Sequence, residues 1–267
     1  MDKLIEAMKA RRLSLGILEV TASPEVVETL AYAGFDWVCI DLMFESTDWS
    51  LAANMVRAAK AWGISPLIRV PCNPWVAGED PHVLVDITRA LGIGATGVAV
   101  SVDTPQIVEK AVEVCKEWHR NIHVIPFAED MRKYAEVQKK MAEETLLVPL
   151  LESEGSLKNM EEICKVPGLK SICIAISDAS RILGHPFDYE HPDVWRVVDQ
   201  AASLAEKYDL YLMGNTGYQF QDPESIAKRI KRLYDHGVQM VLVQSTGSLL
   251  QFFCQSIIKA TRAEMGT

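Results

Sequence analysis

Apolar, largely β-branched runs recur along the chain at Leu13 to Val20, Trp37 to Asp41, Pro66 to Val70, Thr96 to Ser101, Leu146 to Glu152, Ser171 to Ile176, Leu210 to Met213 and Gln239 to Val243. The stretches between them change period. Residues 48–62 place Leu51, Ala52, Met55, Val56, Ala59 and Trp62 at helical spacing, and residues 105–118 and 222–236 read the same way. Strand then helix, eight times within about 250 residues, predicts an α/β fold of the (β/α)8 TIM-barrel type.

One run breaks the count. Ile122 to Phe127 also has strand character, and it is assigned here to an elaborated loop before a helix around residues 129–143. No Gly/Ser-rich linker interrupts the chain, so residues 1–267 are expected to form a single barrel domain. The closing helix, about residues 247–262, carries Leu249, Leu250, Phe252, Phe253, Ile257 and Ile258 around much of its circumference. A helix that apolar buries against something on two sides, which predicts a subunit interface and a homo-oligomer.

Composition narrows the partners. The chain is 49% hydrophobic and 24% charged, with a formal net charge of -9 and a pI near 5.2. That balance excludes nucleic acid and anionic membrane surfaces, both of which need clustered Lys and Arg. The first residues lack the basic start and apolar run of a signal peptide, and no stretch approaches about 20 apolar residues, so a cytoplasmic location is expected. Six cysteines are scattered singly with no C-x-x-C pair, which reads as reduced packing residues.

In a barrel the residues at strand C-termini converge on one mouth. Here these are Glu19, Asp41, Arg69, Ser101, Glu152, Ser177 with Asp178, Asn215, and Gln244 with Ser245. Glu152 ends five apolar residues, and a buried carboxylate there needs an ion-pair partner or a cation. Asp178 follows Ile-Ala-Ile-Ser in the same way, with an alternative role as N-cap of the segment Ala179 to Leu183. Two carboxylates suit Mg²⁺ or Mn²⁺ better than zinc, because no His or Cys stands at a strand end. Arg69 can grip a substrate carboxylate with its planar fork, or pair with a strand-end acid such as Asp41. No lysine lies inside a predicted strand, and Lys170 only precedes the sixth, which disfavours imine chemistry.

Other patterns carry less. Gly92-Ile-Gly-Ala-Thr-Gly97 fits G-x-G-x-x-G but precedes a strand, so it reads as a turn. His119 and His123 have i, i+4 spacing without a helix to align them. His82, His185, His191 and His236 flank Pro, Gly or Asp, positions typical of surface or capping roles. Gly214 to Gly217 and Ser245 to Ser248 follow strands seven and eight, where barrels commonly hold phosphate, a weak pointer to a phosphorylated or CoA-linked ligand.

Taken in order, Ala33-Gly-Phe-Asp-Trp-Val-Cys-Ile-Asp41, Leu67-Ile-Arg-Val-Pro71, Leu150-Leu-Glu-Ser153, Ile176-Ser-Asp-Ala-Ser180 and His191-Pro-Asp-Val194 resemble the HpcH/HpaI class II pyruvate aldolase family. The resemblance spans most of the chain. It implies a metal held by Glu152 and Asp178 that chelates a 2-oxo acid, with Arg69 on the substrate carboxylate and Asp41 near the metal water. It also implies the substrate carboxylate at the turn holding Ser177, and a hexamer with domain-swapped closing helices.

The departures bear on the reaction. After the strand-two Asp the family reads Gly-Glu-His, and this chain reads Leu42-Met43-Phe44, so the proton-shuttling histidine is missing. Its acidic partner falls near Gly92, and a glutamine two residues before the metal Glu is replaced by Leu150. Aldol cleavage needs a base for the C4 hydroxyl, whereas decarboxylation of an oxaloacetate-like acid does not. Glu45 and Glu19 are the candidate substitutes, each weighed against a structural role. The expectation is a metal-dependent carbon-carbon lyase acting on a 2-oxo acid by aldol cleavage or decarboxylation. Phe44, Met43 and Leu42 would favour an aromatic or branched substrate. Two alternatives stand beside it: a non-catalytic 2-oxo acid binding barrel, and a CoA-ester lyase of the citrate lyase β type, for which no basic cluster is evident.

Overall fold

The computed structural model describes residues 2–45, 47–72, 81–118, 131–217 and 222–266. Helix α1 (Lys3–Lys9) precedes β1 (Ser14–Glu19), α2 (Pro24–Ala33), β2 (Trp37–Asp41), α3 (Trp49–Ala61), β3 (Ser65–Arg69), α4 (Pro81–Gly92) and β4 (Gly97–Ser101). There follow α5 (Pro105–Glu117), α6 (Met131–Glu144), β5 (Leu146–Leu151), α7 (Glu154–Lys158), α8 (Met160–Cys164), β6 (Ser171–Ile174) and α9 (Ile176–Ile182). The chain ends with α10 (Pro192–Lys207), β7 (Tyr211–Asn215), α11 (Pro223–Asp235), β8 (Met240–Ser245) and α12 (Thr246–Met265). All eight strands pair in parallel and close into one barrel in chain order, as the alternating pattern predicts.

The predicted strand limits are all met within two residues, and the two-residue departures have local causes. β6 stops at Ile174 because Ile176 already opens α9; a buried apolar run does not by itself tell strand from helix. β7 and β8 instead run on to Asn215 and Ser245, polar residues that an apolar pattern leaves out. The Gly92–Gly97 pattern is the turn between α4 and β4, with Gly94 at φ +104°. Ile122 to Phe127, His119 and His123 lie outside the described residues.

Strand side chains alternate between two cores. The lumen holds Leu18, Trp37, Cys39, Leu67, Ala99, Leu146, Val148, Leu150, Cys173, Met213 and Met240. Ile17, Val38, Ile40, Ile68, Val98 and Ile172 face the other way, into the layer beneath the helices. Helix α1 plugs the floor, adding Leu4, Ile5 and Met8 to the lumen cluster. Asp2 ties that plug down: its side chain caps α1 and accepts hydrogen bonds at 2.5 Å from the hydroxyls of Ser65 and Thr96, at the start of β3 and just before β4.

Helix α12 leaves the barrel. From Leu250 onward every described residue is exposed except the half-buried Phe252, and Leu250, Phe253, Ile257 and Ile258 are 60, 64, 52 and 51% exposed. Among the described residues no helix is long and apolar enough to cross a membrane.

The lumen floor depends on one missing side chain. Trp37 is fully buried, and a Cβ on Gly16 would lie 2.1 Å from its ring. Gly16→Ala therefore forces the indole or strand β1 to move, and urea unfolding is expected to show a loss of about 1–3 kcal/mol.

Candidate active site

Register decides which strand-end side chains share the mouth. Asp41 pairs with Arg69, Arg69 with Ala99, and Ser101 with Leu150, which pairs with Cys173. These positions are in phase with the lumen residues below them, so Asp41, Arg69, Ser101 and, two residues after Leu150, Glu152 rise around one opening. Glu19 is out of phase. It pairs with Ile40, which faces the outer layer, while its neighbour Leu18 faces the lumen. As a candidate base it is therefore corrected: its carboxylate points into the barrel wall, where Oε1 accepts from the amide and hydroxyl of Thr21.

Asp41 and Arg69 form the best-defined contact of the mouth. Arg69 Nε donates to Asp41 Oδ1 at 2.9 Å and Nη2 donates to Oδ2 at 2.5 Å. Burial alone would loosen the guanidinium's hold on its proton, but the hydrogen-bonded carboxylate overrides it and holds the group above its ordinary value. Asp41 Oδ1 also accepts the Met43 amide at 2.9 Å, which fixes the turn that carries Phe44. The Phe44 ring lies 5.0 Å from the Arg69 guanidinium carbon and is 65% exposed. So the Nε/Nη2 edge of the guanidinium is spent on its neighbouring acid, and the two N–H groups of Nη1 with the second of Nη2 remain for a ligand.

Across the barrel, Glu152 follows β5 and is 8% exposed. Ser101 Oγ donates to its Oε1. Burial raises its pKa above the ordinary carboxylate value; the Ser101 hydrogen bond works against the rise and the charge of Asp178 adds to it. Asp178 sits in the first turn of α9, whose N-cap is Ala175, so the N-cap role considered for it is corrected. Its Oδ1 accepts from Arg181 Nη2 at 2.9 Å, and the pair is partly exposed.

Asn215 positions that helix. Its Oδ1 accepts the Ile176 amide at 2.9 Å and its Nδ2 donates to Ser177 Oγ at 3.1 Å, clamping the start of α9 to β7. First-turn amides have no intrahelical acceptor, so α9 turns a partial positive end toward the opening. Sequence reasoning placed Asn215 at a strand end without giving it this task. Arg181 was missed, although its i, i+3 spacing from Asp178 is visible in the sequence.

The loops after β7 and β8 are bonded to each other. Thr216 Oγ1 donates to the Val243 carbonyl, Gln244 Nε2 donates to the Gly217 carbonyl at 2.7 Å, and Ser245 caps α12. Beneath the mouth, burial pushes the Cys39 thiol up to about 12 and raises Cys173 as well, so neither offers a thiolate to a cation. Among the described residues the donor set around Glu152 and Asp178 is thus oxygen only. A hard divalent ion fits it, since the charge of Asp178 raises the cost of ionising Glu152 and a cation there would offset that cost.

Residues 17–245 match the HpcH/HpaI aldolase/citrate lyase family. The chain is 27% identical over 198 residues to a 2-dehydro-3,6-dideoxy-6-sulfogluconate aldolase of Pseudomonas putida, covering 73% of this chain and 74% of that protein. It is 26% identical over 212 residues to a 5-keto-4-deoxy-D-glucarate aldolase of Escherichia coli O139:H28, with 78% and 79% covered. Among solved structures, the citrate synthase SbnG superposes with a TM-score of 0.81 at 20% identity over 99% of both chains, a likeness of fold.

Between the ordinary glutamate range and the raised value of Glu152, the folded chain keeps a proton that the unfolded chain has released. Without divalent ions, stability is therefore expected to fall as pH rises through that window. Glu152→Gln removes the titrating group, so its melting temperature, followed by calorimetry in EDTA, is expected to lose this pH dependence and to exceed that of the wild type above the window.

Proposed function

The chain belongs to the HpcH/HpaI aldolase/citrate lyase family, and from that premise we propose that it is a carbon-carbon lyase acting on a 2-oxo acid with Mg²⁺ or Mn²⁺. The observation that carries the reading is Glu152, a buried carboxylate beside a second acid, Asp178, for which the Ser101 hydroxyl and the charges of Arg69 and Arg181 do not offset the cost of burial. Glu152 and Asp178 would hold the cation. When bound, it withdraws electrons from the 2-oxo group and so lowers the cost of the electron pair left on C3 as the bond to the departing carbon breaks.

The remaining residues bind and orient. Asp41 locks the plane of Arg69, which leaves the Nη1/Nη2 edge to meet the substrate carboxylate. The first-turn amides of α9, with Ser177 among them, supply a second anchor for that carboxylate. Phe44, exposed over Arg69, and Met43 line one side with apolar surface, which favours an aromatic or branched group on the departing carbon.

Proton handling separates the two reactions. Aldol cleavage requires the C4 hydroxyl to lose its proton, and Phe44 can neither take nor return one. Glu45, half-buried next to it, is the acid left for that task once Glu19 is turned into the wall. Loss of CO₂ from a β-carboxylated 2-oxo acid makes no such demand, so the residues at the mouth suffice for it.

We also propose that the chain is a homo-oligomer joined through the exposed apolar side of α12, six copies being the number its family resemblance implies. Phe253→Asp with Ile257→Asp is expected to reduce the particle mass seen by light scattering to that of one chain; an unchanged mass would place the interface elsewhere.

Turnover is tested with oxaloacetate and a panel of 4-hydroxy-2-oxo acids, aliphatic and aromatic, measuring CO₂ and released 2-oxo acid. Activity is expected to need Mg²⁺ or Mn²⁺ and to fall by about 10²–10³ in Glu152→Ala and Asp178→Ala, without rescue by excess metal. Turnover at the wild-type level in both variants refutes the assignment. Metal-dependent oxalate binding with no product from any panel member would make the chain a binding barrel.

A further inference from the structure

His185, His191 and Asp193 bring three ligand atoms within 4.8 Å of one another. They lie in the segment that joins α9 to α10 and in the first turn of α10. His185 Nε2 is 3.1 Å and His191 Nδ1 is 3.6 Å from the same oxygen, Asp193 Oδ2. A tetrahedral zinc, with bonds of about 2.0–2.2 Å to nitrogen and oxygen, spaces its ligands about 3.3–3.6 Å apart along each edge. The two edges that meet at Asp193 Oδ2 already have nearly that length.

We propose that these three residues form a site for a borderline transition ion, zinc foremost, distinct from the oxygen-only pair at the mouth. Imidazole nitrogen selects such an ion over Mg²⁺, which prefers oxygen and sheds its water reluctantly. The three side chains are 29–34% exposed, so an ion and a completing water reach them from solvent. Arg196 Nη2 holds the other carboxylate oxygen, Asp193 Oδ1, at 2.8 Å. That bond orients the carboxylate and leaves Oδ2 to the ion, as outer partners of metal ligands do.

The arrangement also sets what binding must give up. The two imidazoles are stacked with centroids 3.3 Å apart and planes 16° apart, and near-parallel rings cannot aim both lone pairs at one point. Occupation tilts them apart and takes His191 Nδ1 from the Asp193 amide that it now accepts at 3.2 Å as the cap of α10. The ion replaces that cap with a direct tie between the segment after α9 and the first turn of α10. Because Asp178 belongs to α9, zinc would brace the helix that carries one acid of the mouth.

The test is calorimetric titration of the whole chain with Zn²⁺ under saturating Mg²⁺, which occupies oxygen ligands and bypasses imidazole. His185→Phe keeps a ring in the stack and the His191 cap but removes a ligand; circular dichroism checks that the variant is folded. Wild type is expected to take up one Zn²⁺ more per chain than His185→Phe, and Glu152→Ala is expected to retain that zinc. Co²⁺ bound in its place should give the intense visible bands of a tetrahedral ion in wild type and lose them in His185→Phe. Equal zinc uptake by wild type and His185→Phe, or loss of that zinc in Glu152→Ala, overturns the proposal.

Discussion

Uncompensated negative charge at the top of an apolar lumen governs the rest of this molecule. Below the mouth the barrel is filled by Leu, Val, Met, Trp and protonated Cys, a medium that penalises any ion above it. Three acids enter that region. Asp41 is neutralised by two hydrogen bonds from Arg69, and Asp178 is partly exposed and paired with Arg181. Among the described residues Glu152 receives a hydroxyl and only the more distant charges of Arg69 and Arg181, so the imbalance falls on it. A site evolved for stability alone would fill that position with an apolar residue; an acid there is tolerated if something else brings the charge.

The same accounting bears on Arg69. One edge of its guanidinium, Nε with Nη2, closes on Asp41, and the Nη1/Nη2 edge stays open. What this achieves is rigidity: the plane of Arg69 is set, the Met43 amide is fixed on the same carboxylate, and Phe44 is held over the cation face. On our reading, Phe44 stands where the family resemblance implies a proton-carrying histidine and offers a desolvating surface instead. Chemistry that needs only charge stabilisation survives that exchange better than chemistry that needs a base.

The fold was legible because a parallel strand buried on both faces writes itself as a short apolar run, and helices of the intervening segments write a different period. Trp37 to Asp41 was predicted to the residue. The mouth was legible as a set of residues but not as a set of directions. Glu19 looks like Asp41 in the sequence, each an acid closing an apolar run, and only the pairing of Glu19 with Ile40 shows that it faces the wall. Likewise Ile176 extends an apolar run yet belongs to a helix, which moved Asp178 from a cap into a first turn. Asn215 could be listed but not assigned, because its partners at Ile176 and Ser177 are about forty residues away in the chain and adjacent only after the barrel closes.

Helix α9 is where these threads meet. Its first turn is pinned by Asn215 on β7, its acid acts on Glu152 just after β5, and its far end runs into the segment carrying His185 and His191. A seven-residue helix gains little stability from its own hydrogen bonds, so its position is set by what grips its two ends. At the mouth end the grip is an amide side chain and, on our reading, a hard ion held by carboxylates. At the other end it is an imidazole stack sharing one carboxylate, chemistry that hard ions pass over. Ligand hardness therefore separates the two ends, and an ion taken up at one can stiffen the helix without competing for the other.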